Sequence, residues 1–381
     1  MHRPTALLTT VVLVAALSAC ASVQAAPQGP ASPPATEQPT ASATSCTATG
    51  APLTELELAS EGDVRDTVGP STACLPDHTI EPVTDATAPQ LPVTLTDAED
   101  RTVTVTDVSR ILPIDISGTI AATVFGLGLG DQVVGRDSST AFSGTENLPV
   151  VTKSGHTLNA EAILELAPTV VLTDTTIGPK EVRQQLRDAG ITVVVISSER
   201  RLDTASDLID EIATALGVPT RGDALSSRLD TELAAVAREV AAVTPTGPAD
   251  RARMLFLYVR GNANVYYIFG RDSGADSLID AVGGVDVATE IGWEGMKPMT
   301  AEALVAAQPD VIVMMTAGLE SMGGVDGLLE KLPAIAQTRA GENRRIIDME
   351  DSEILSFGPR TPHIVRALAV ALYTPGVESA P

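Results

Sequence analysis

Nearly uninterrupted apolar runs alternate with helical patterns along most of this 381-residue chain. The runs at 192–196, 254–259 and 311–315 have the continuous apolar character of strands that are buried on both faces. Because such strands alternate with helices, we expect an α/β fold with two Rossmann-like lobes and mainly parallel sheets.

A weak internal repeat supports the expectation of two lobes. Residues 159–172 and 300–313 each begin as a helix and continue as an apolar strand, and a proline falls at the same offset in both. We therefore expect one copy of this unit in an amino-terminal lobe over 91–219 and one in a carboxy-terminal lobe over 250–376.

A long amphipathic pattern separates the two lobes. Residues 224–243 contain no Gly or Pro, and apolar residues recur at helical spacing, at Leu225, Leu229, Leu233 and Val236. This pattern predicts one interlobe helix over 220–245. A flexible linker would be richer in Gly and Ser, so we expect only limited closure of the lobes.

The amino terminus has the pattern of an exported lipoprotein. An apolar stretch over 7–17 is too short to span a bilayer, and small residues lead from it to Cys20. We expect a signal peptide over 1–19 and lipidation of Cys20, which would anchor the chain outside the cytoplasm, on the outer face of the cell membrane. The composition of 20–45, rich in Ala, Pro, Ser and Thr, predicts a disordered tether.

Charge and cysteine content narrow the range of partners. The formal net charge of −24 argues against binding to nucleic acid or to an anionic membrane surface. Once Cys20 is lipidated, Cys46 and Cys74 remain, and an even pair outside the cytoplasm favours a disulfide. We expect a Cys46–Cys74 bridge in an extension over 46–90, whose role the sequence does not indicate.

Tyr258 and Arg260 stand at the end of a predicted buried strand. Side chains at i and i+2 leave a strand on the same face, so the phenol and the guanidinium point together beyond the strand. A phenolate is a hard oxygen ligand that suits Fe(III), and a neighbouring cation favours its ionised form. The alternative is a tyrosine that only packs at the strand end.

Three further groups of residues could line a ligand site. His156 follows a glycine in a loop at the predicted cleft and could be an axial ligand, although an unpartnered surface histidine is the alternative. Aromatic residues make up only 3% of the chain, yet Tyr266 and Tyr267 fall in one short aromatic stretch that could stack on a flat ligand. Trp293 and Met296 lie in a glycine-opened loop and suit an adaptable apolar ligand.

This organisation resembles the substrate-binding lipoproteins of ABC importers that have a rigid interlobe helix, a class that serves haem, siderophores and cobalamin. The resemblance covers 91–376, with recurring pieces at 103–111 and 122–135. It implies a binding protein without enzymatic activity, partnered by an ABC permease and ATPase complex. It also implies that Glu161 and Glu302, one per lobe, dock onto the transporter, although a first-turn glutamate also stabilises its own helix.

The motifs around Tyr258 and over 266–279 look like the haemin-binding lipoproteins of actinobacterial haem importers. That resemblance implies that His156 and Tyr258, from opposite lobes, are the axial ligands of ferric haem and that Arg260 hydrogen-bonds the tyrosine. Haem b, as ferric haemin, is then the transported ligand, and other surface haem-binding proteins would be further partners. Either Tyr266 or Tyr267 could still share or take the role of Tyr258.

The stretch 358–362 also resembles this family and makes Arg360 a candidate partner of a haem propionate. The nearest alternative is a ferric siderophore, with Arg260, Arg271 and Arg360 around an anionic chelate and no protein atom on the iron. Cobalamin is the other alternative ligand of this transporter class. The histidines are too few for a zinc or manganese receptor, and no motif of a hydrolase, a phosphate-binding loop or a zinc protease indicates an enzyme. A surface adhesin is a further alternative and would bind no coloured ligand.

Overall fold

The computed structural model describes residues 51–56, 58, 64–85, 87–153 and 155–374. The predicted signal peptide, the lipidated Cys20, the tether and Cys46 lie outside these residues. Cys74 is disulfide-bonded, and its pairing with Cys46 stays a prediction. Among the described residues, no helix has both the length and the apolar character needed to cross a bilayer.

The amino-terminal lobe is built on a small parallel sheet. The extension before it contributes β1 (Ser71–Ala73), and the lobe contains β2 (Val93–Thr96), β3 (Thr102–Val105), β4 (Ile111–Ile114), α1 (Thr119–Gly126), β5 (Thr152–Lys153), β6 (Thr157–Leu158), α2 (Ala160–Glu165), β7 (Val170–Thr173), α3 (Lys180–Asp188), β8 (Thr192–Val195) and α4 (Ala205–Ala215). Strands β4, β7 and β8 pair in that order and in parallel, while β2–β3 and β5–β6 are antiparallel hairpins. Strands β4 and β7 are buried at every position.

The carboxy-terminal lobe follows the long helix α5 (Pro219–Val243). It contains β9 (Arg253–Arg260), β10 (Val265–Phe269), α6 (Ala275–Ala281), β11 (Val285–Asp286), α7 (Val287–Glu290), β12 (Met296–Pro298), α8 (Ala301–Ala307), β13 (Val311–Met315), α9 (Thr316–Met322), α10 (Gly324–Lys331), α11 (Arg339–Glu342), β14 (Ile346–Met349) and α12 (Thr361–Tyr373). The sheet order is β1-β14-β13-β9-β10-β12, with β11 on β9. Strand β10 is antiparallel to both of its neighbours, β9 and β12, and the other pairings are parallel. The expected α/β fold with mainly parallel sheets is confirmed.

The internal repeat corresponds to equivalent places in the two lobes. Helix α2 leads into β7 in one lobe, and α8 leads into β13 in the other. Both strands are buried along most of their length and lie between two parallel neighbours. The carboxyl ends of the strands in each sheet therefore collect at one edge, which is where ligands bind in open α/β sheets.

A contact independent of α5 also joins the lobes. Arg201, in the segment after β8, pairs through Nη1 with Asp276 at 2.9 Å and with Asp272 at 3.3 Å. One residue further on, the backbone N–H of Leu202 donates to Ser277 Oγ at 3.4 Å. These groups connect the amino-terminal lobe to the start of α6, so the lobes are held together at a second place.

The extension bridges the two lobes. Strand β1 adds to the free edge of β14, where Thr72 Oγ1 donates to Asp348 Oδ1 at 2.9 Å. Further along, the N–H of Val83 donates to the carbonyl of Gly126 in α1 at 2.8 Å, and Arg221 in α5 donates to the carbonyl of Thr87 at 2.7 Å. The segment whose role was not evident from the sequence thus runs from the carboxy-terminal sheet to the amino-terminal lobe.

Candidate functional site

Tyr258 and Arg260 leave β9 on the same face, as the period of two predicts. The guanidinium carbon of Arg260 lies 4.6 Å from the centroid of the Tyr258 ring. The Tyr258 ring also stacks against the ring of Phe269, with 6.0 Å between the ring centroids and 22° between the ring planes. The ring of Tyr258 is half-buried. Packing against Phe269 and Arg260 therefore holds the phenol in place at the strand end.

The hydrogen bonds of Arg260 differ from the expected bond to the tyrosine. Among the described residues, its guanidinium donates to the carbonyl of Val259 at 3.0 Å, to the thioether of Met315 at 3.8 Å and to the carboxylate of Asp351. A β-carbon on Gly318 would lie 3.3 Å from Arg260 Nη1 and 2.8 Å from the Val259 carbonyl. The glycine therefore allows α9 to pack closely against the end of β9.

His156 lies in the turn between β5 and β6, on the opposite lobe. Burial lowers the pKa of His156 below its ordinary value of 6.5, the charge of Arg260 lowers it further, and Asp351 and Asp115 partly oppose that change. The neutral imidazole, which is the form that binds iron, is therefore favoured. Nδ1 of His156 is buried and has no hydrogen-bond partner among the described residues.

The interaction between Arg260 and His156 crosses from one lobe to the other. The guanidinium belongs to β9 and the imidazole to the β5–β6 turn, yet the charge of one changes the pKa of the other. These two side chains therefore lie close enough across the lobes for their charges to interact. Tyr258 lies beside Arg260 on that side of the carboxy-terminal sheet.

The two further tyrosines lie on opposite faces of β10. Tyr267 stands directly opposite Tyr258 in the antiparallel ladder, and Tyr266 stands opposite Val259. Cross-strand partners project on the same side of a sheet, so Tyr267 shares the face of Tyr258. Tyr266 packs instead with Trp293 against the second hydrophobic cluster of this lobe. That distinction depends on the register of the hairpin.

A row of apolar side chains continues from Tyr258 toward solvent. Tyr267 and Phe269 are two residues apart on β10 and therefore project on the same face. Met296 of β12 is the cross-strand partner of Phe269. The Met296 side chain is 54% exposed. In the other lobe, Ile116 directly follows Asp115 at the end of β4 and is 43% exposed. Tyr267, Phe269 and Met296 therefore provide apolar surface on the face of the sheet that carries Tyr258.

The two other arginines expected near the ligand occupy different environments. Arg271 is half exposed, and its ion pair with Glu294 is long, at 3.9 Å. Arg360 is 3% exposed, donates to the carbonyl of Ser352 at 2.8 Å and lies 5.2 Å over the ring of Phe142. Phe142 belongs to the amino-terminal lobe and Ser352 to the carboxy-terminal lobe, so Arg360 is packed at the junction of the lobes. The structure does not present it as an exposed cleft cation, contrary to the expectation.

Buried carboxylates support the loops of the amino-terminal lobe at the cleft. Arg200 pairs with Asp174 at 2.7 Å and with Asp115 at 3.3 Å. Asp137 accepts the N–H of Asp115 at 2.9 Å. Burial, with the nearby charge of Asp115, raises the pKa of Asp137 to about 7. Next to Asp137, Ser138 donates to the carbonyl of Gly155 at 2.8 Å, which links this cluster to the turn that carries His156.

Sequence reasoning missed Asp351, Met315 and Ile116. Met315 ends β13, Asp351 follows β14, and both strands run parallel to β9. Their ends therefore meet at Arg260, but that meeting depends on the strand order. The signal that could have found them is the first residues after each apolar run. Within the described residues, no group of three or more His, Cys, Asp or Glu side chains could hold a metal ion.

Glu161 and Glu302 occupy equivalent places in the two lobes. Glu161 lies in the first turn of α2 and Glu302 in the first turn of α8, and both are exposed. Each therefore presents a carboxylate to solvent at the start of a repeated helix.

Comparison with known proteins places this geometry in context. The periplasmic binding protein family model matches residues 115–353. A crystal structure of the heme-binding protein HmuT is 43% identical, with a TM-score of 0.78, and covers 82% of this chain and 100% of that one. Three further solved structures of HmuT are single alanine variants. They replace a His, a Tyr, and an Arg that follows that Tyr by two positions.

Other similar proteins are more distant. The periplasmic heme-binding protein RhuT from Roseiflexus sp. RS-1 is 38% identical, with a TM-score of 0.63, over 69% of this chain and 98% of that one. Among curated proteins, the uncharacterized ABC transporter substrate-binding lipoprotein YvrC of Bacillus subtilis is 26% identical over 74% of this chain and 86% of its own length. A cobalamin-binding protein of Halobacterium salinarum is 26% identical over 74% of each chain.

Proposed function

Because the chain belongs to the periplasmic binding protein family, we propose that it binds ferric haem outside the cytoplasm and delivers it to an ABC permease with its ATPase. The observation that carries this proposal is that His156 of one lobe interacts electrostatically with Arg260 of the other lobe, whose guanidinium lies over the Tyr258 ring. HmuT has been solved as alanine variants of a His, a Tyr and an Arg, and its Tyr and Arg are two positions apart, as Tyr258 and Arg260 are. These variants support the choice of residues.

The iron would be held by one ligand from each lobe. Tyr258 would bind as a phenolate, which the guanidinium over its ring stabilises electrostatically. His156 would bind as the neutral imidazole that its lowered pKa favours. Two strong axial ligands keep the iron ferric and leave no open position for oxygen chemistry, which suits a carrier rather than an enzyme. Each lobe alone would therefore bind haem weakly.

The macrocycle would lie on the apolar surface beside these ligands. Tyr267 and Met296 would contact it from one lobe and Ile116 from the other. Arg271, which is half exposed, would pair with a propionate. We do not include Tyr266, Trp293 or Arg360, because the first two pack in a different cluster and the third is buried.

A haemin titration followed by absorption spectroscopy tests this proposal. Tyr258→Phe keeps the ring that packs on Phe269 and removes only the oxygen, so it should abolish the charge-transfer band of a ferric phenolate. His156→Ala should change the spectrum differently and weaken binding. Tyr266→Phe is the matched control and should leave the spectrum as in the parent. An unchanged spectrum for Tyr258→Phe would contradict the assignment of the ligand.

Cobalamin is the second candidate, because one curated relative is a cobalamin-binding protein. Its cobalt carries its own ring ligands, so a protein phenolate would be dispensable. If cobalamin were the ligand, it would displace haemin at equal concentration and Tyr258→Phe would bind it normally. We expect haemin to bind in preference.

Delivery would depend on the membrane and on both lobes. Lipidation of Cys20 would keep the protein at the outer face of the cell membrane, and the tether would let it reach the permease. Glu161 and Glu302, which are exposed and equivalent in the two lobes, would contact basic residues of the transporter. This arrangement requires no enzymatic step.

A further inference from the structure

We propose that Asp351 is a positioning residue, which holds Arg260 against Tyr258 and so sets the strength of haem binding. The inference rests on the proposed function, since it concerns the same site. Asp351 follows β14 and belongs neither to β9 nor to the expected ligand set. It acts through the arginine and would not itself contact the iron.

The two carboxylate oxygens of Asp351 accept hydrogen bonds from two different groups. Its Oδ1 accepts the backbone N–H of Ala317, in the first turn of α9, at 3.0 Å. Its Oδ2 accepts from Nη2 of Arg260. One carboxylate therefore joins the start of α9 to the guanidinium that lies over the Tyr258 ring. Its side chain is 26% exposed and that of Arg260 is 31% exposed.

The other contacts of Arg260 are weaker anchors. The carbonyl of Val259 belongs to the neighbouring residue of the same strand, and the Met315 thioether at 3.8 Å is a weak acceptor. Arginine has large rotamer freedom, so a single charged acceptor decides where the guanidinium lies. Gly318 provides the space for it. Without Asp351, the arginine would spend much of its time in solvent and would stabilise the phenolate less.

A double-mutant cycle tests whether Asp351 acts through Arg260. The four proteins are the parent, Asp351→Ala, Arg260→Ala and the double variant, each titrated with haemin. We expect Asp351→Ala to weaken binding by about tenfold, within the range of coupled neighbours. The double variant should bind no more weakly than Arg260→Ala alone. Asp351→Glu, which keeps the charge, should recover part of the loss.

The matched control is Asp326→Ala. Asp326 also pairs with an arginine of the same lobe, Arg344 at 2.7 Å, but that pair is exposed on both sides. The Asp326→Ala variant should bind haemin as the parent does. A general loss of stability would lower the affinity of both variants, whereas a positioning role lowers only that of Asp351→Ala.

A second measurement needs no haem. In the haem-free protein, the Nε–H signal of Arg260 in NMR spectra should be resolved in the parent and lost to fast exchange in Asp351→Ala. Additive effects in the cycle, an unchanged affinity, or an unchanged Arg260 signal would each overturn the inference. If the parent failed to bind haemin, the proposed function would fail, and the Arg260 signal would still decide the role of Asp351.

Discussion

Tyr267 stands directly opposite Tyr258 across the β9–β10 ladder. This pairing places two phenol rings on one face of the sheet and removes Tyr266 from it. The first prediction follows from that arrangement. Tyr267→Ala should weaken haemin binding by about tenfold, because a stacked ring is lost, but the spectrum should keep its phenolate band. Tyr267→Phe should bind nearly as well as the parent. A loss of the band in Tyr267→Phe would move the iron ligand from Tyr258 to Tyr267.

The second prediction concerns the contact between Arg201 and Asp276. It joins the lobes at 2.9 Å, and the carboxylate also accepts the N–H of Asp272 at 3.0 Å. Arg201→Ala should let the lobes separate further, which small-angle X-ray scattering would detect as a larger radius of gyration. The loss of unfolding free energy should be about 1 kcal/mol, since the pair is partly exposed. Arg344→Ala, at an exposed pair, should leave the radius unchanged.

The third prediction concerns Arg345, which is fully buried. It donates to Ser71 Oγ at 2.8 Å in β1 and to the carbonyls of Ala371 and Leu372 at 2.6 and 3.0 Å near the end of α12. Arg345→Met would leave these acceptors unsatisfied and should cost about 2–4 kcal/mol of unfolding free energy in urea titrations. The exposed neighbour offers the control: Arg344→Met should cost well under half as much.

The fourth prediction is a pH dependence of stability due to Asp137. Burial raises the pKa of Asp137 from 3.8 to about 7. Between these values the folded chain keeps a proton that the unfolded chain has released, so the contribution of Asp137 to stability falls as the pH rises from 3.8 to about 7. Asp137→Asn cannot ionise. Its unfolding free energy should fall less over this range than that of the parent, and parallel curves would contradict the prediction.

The fifth prediction concerns docking to the permease. Glu161→Lys combined with Glu302→Lys should block haem uptake by cells, because it reverses one exposed charge on each lobe. Haemin binding by the purified variant should stay as in the parent. Glu181→Lys is a suitable control, since Glu181 is also an exposed glutamate in the first turn of a helix, α3. Normal uptake by the double variant would rule out docking through these residues.

The local pattern was sufficient for much of the fold. Helix α5 runs over Pro219–Val243, close to the helix expected over 220–245, because its apolar residues recur at helical spacing without interruption. The common face of Tyr258 and Arg260 also follows from the period of a strand. The choice between Tyr266 and Tyr267 did not, because it depends on the register of β9 against β10.

The α/β class, the repeated helix–strand units and the pairing of a phenol with a cation at one strand end follow from the amino-acid sequence. These features depend on residues that are neighbours along the chain. Three features became apparent from the folded chain: Asp351 and Met315 contact Arg260, Arg360 is buried at the junction of the lobes, and the extension joins both lobes. Those contacts join residues far apart in sequence, and they depend on the strand order and packing, which a local period does not encode.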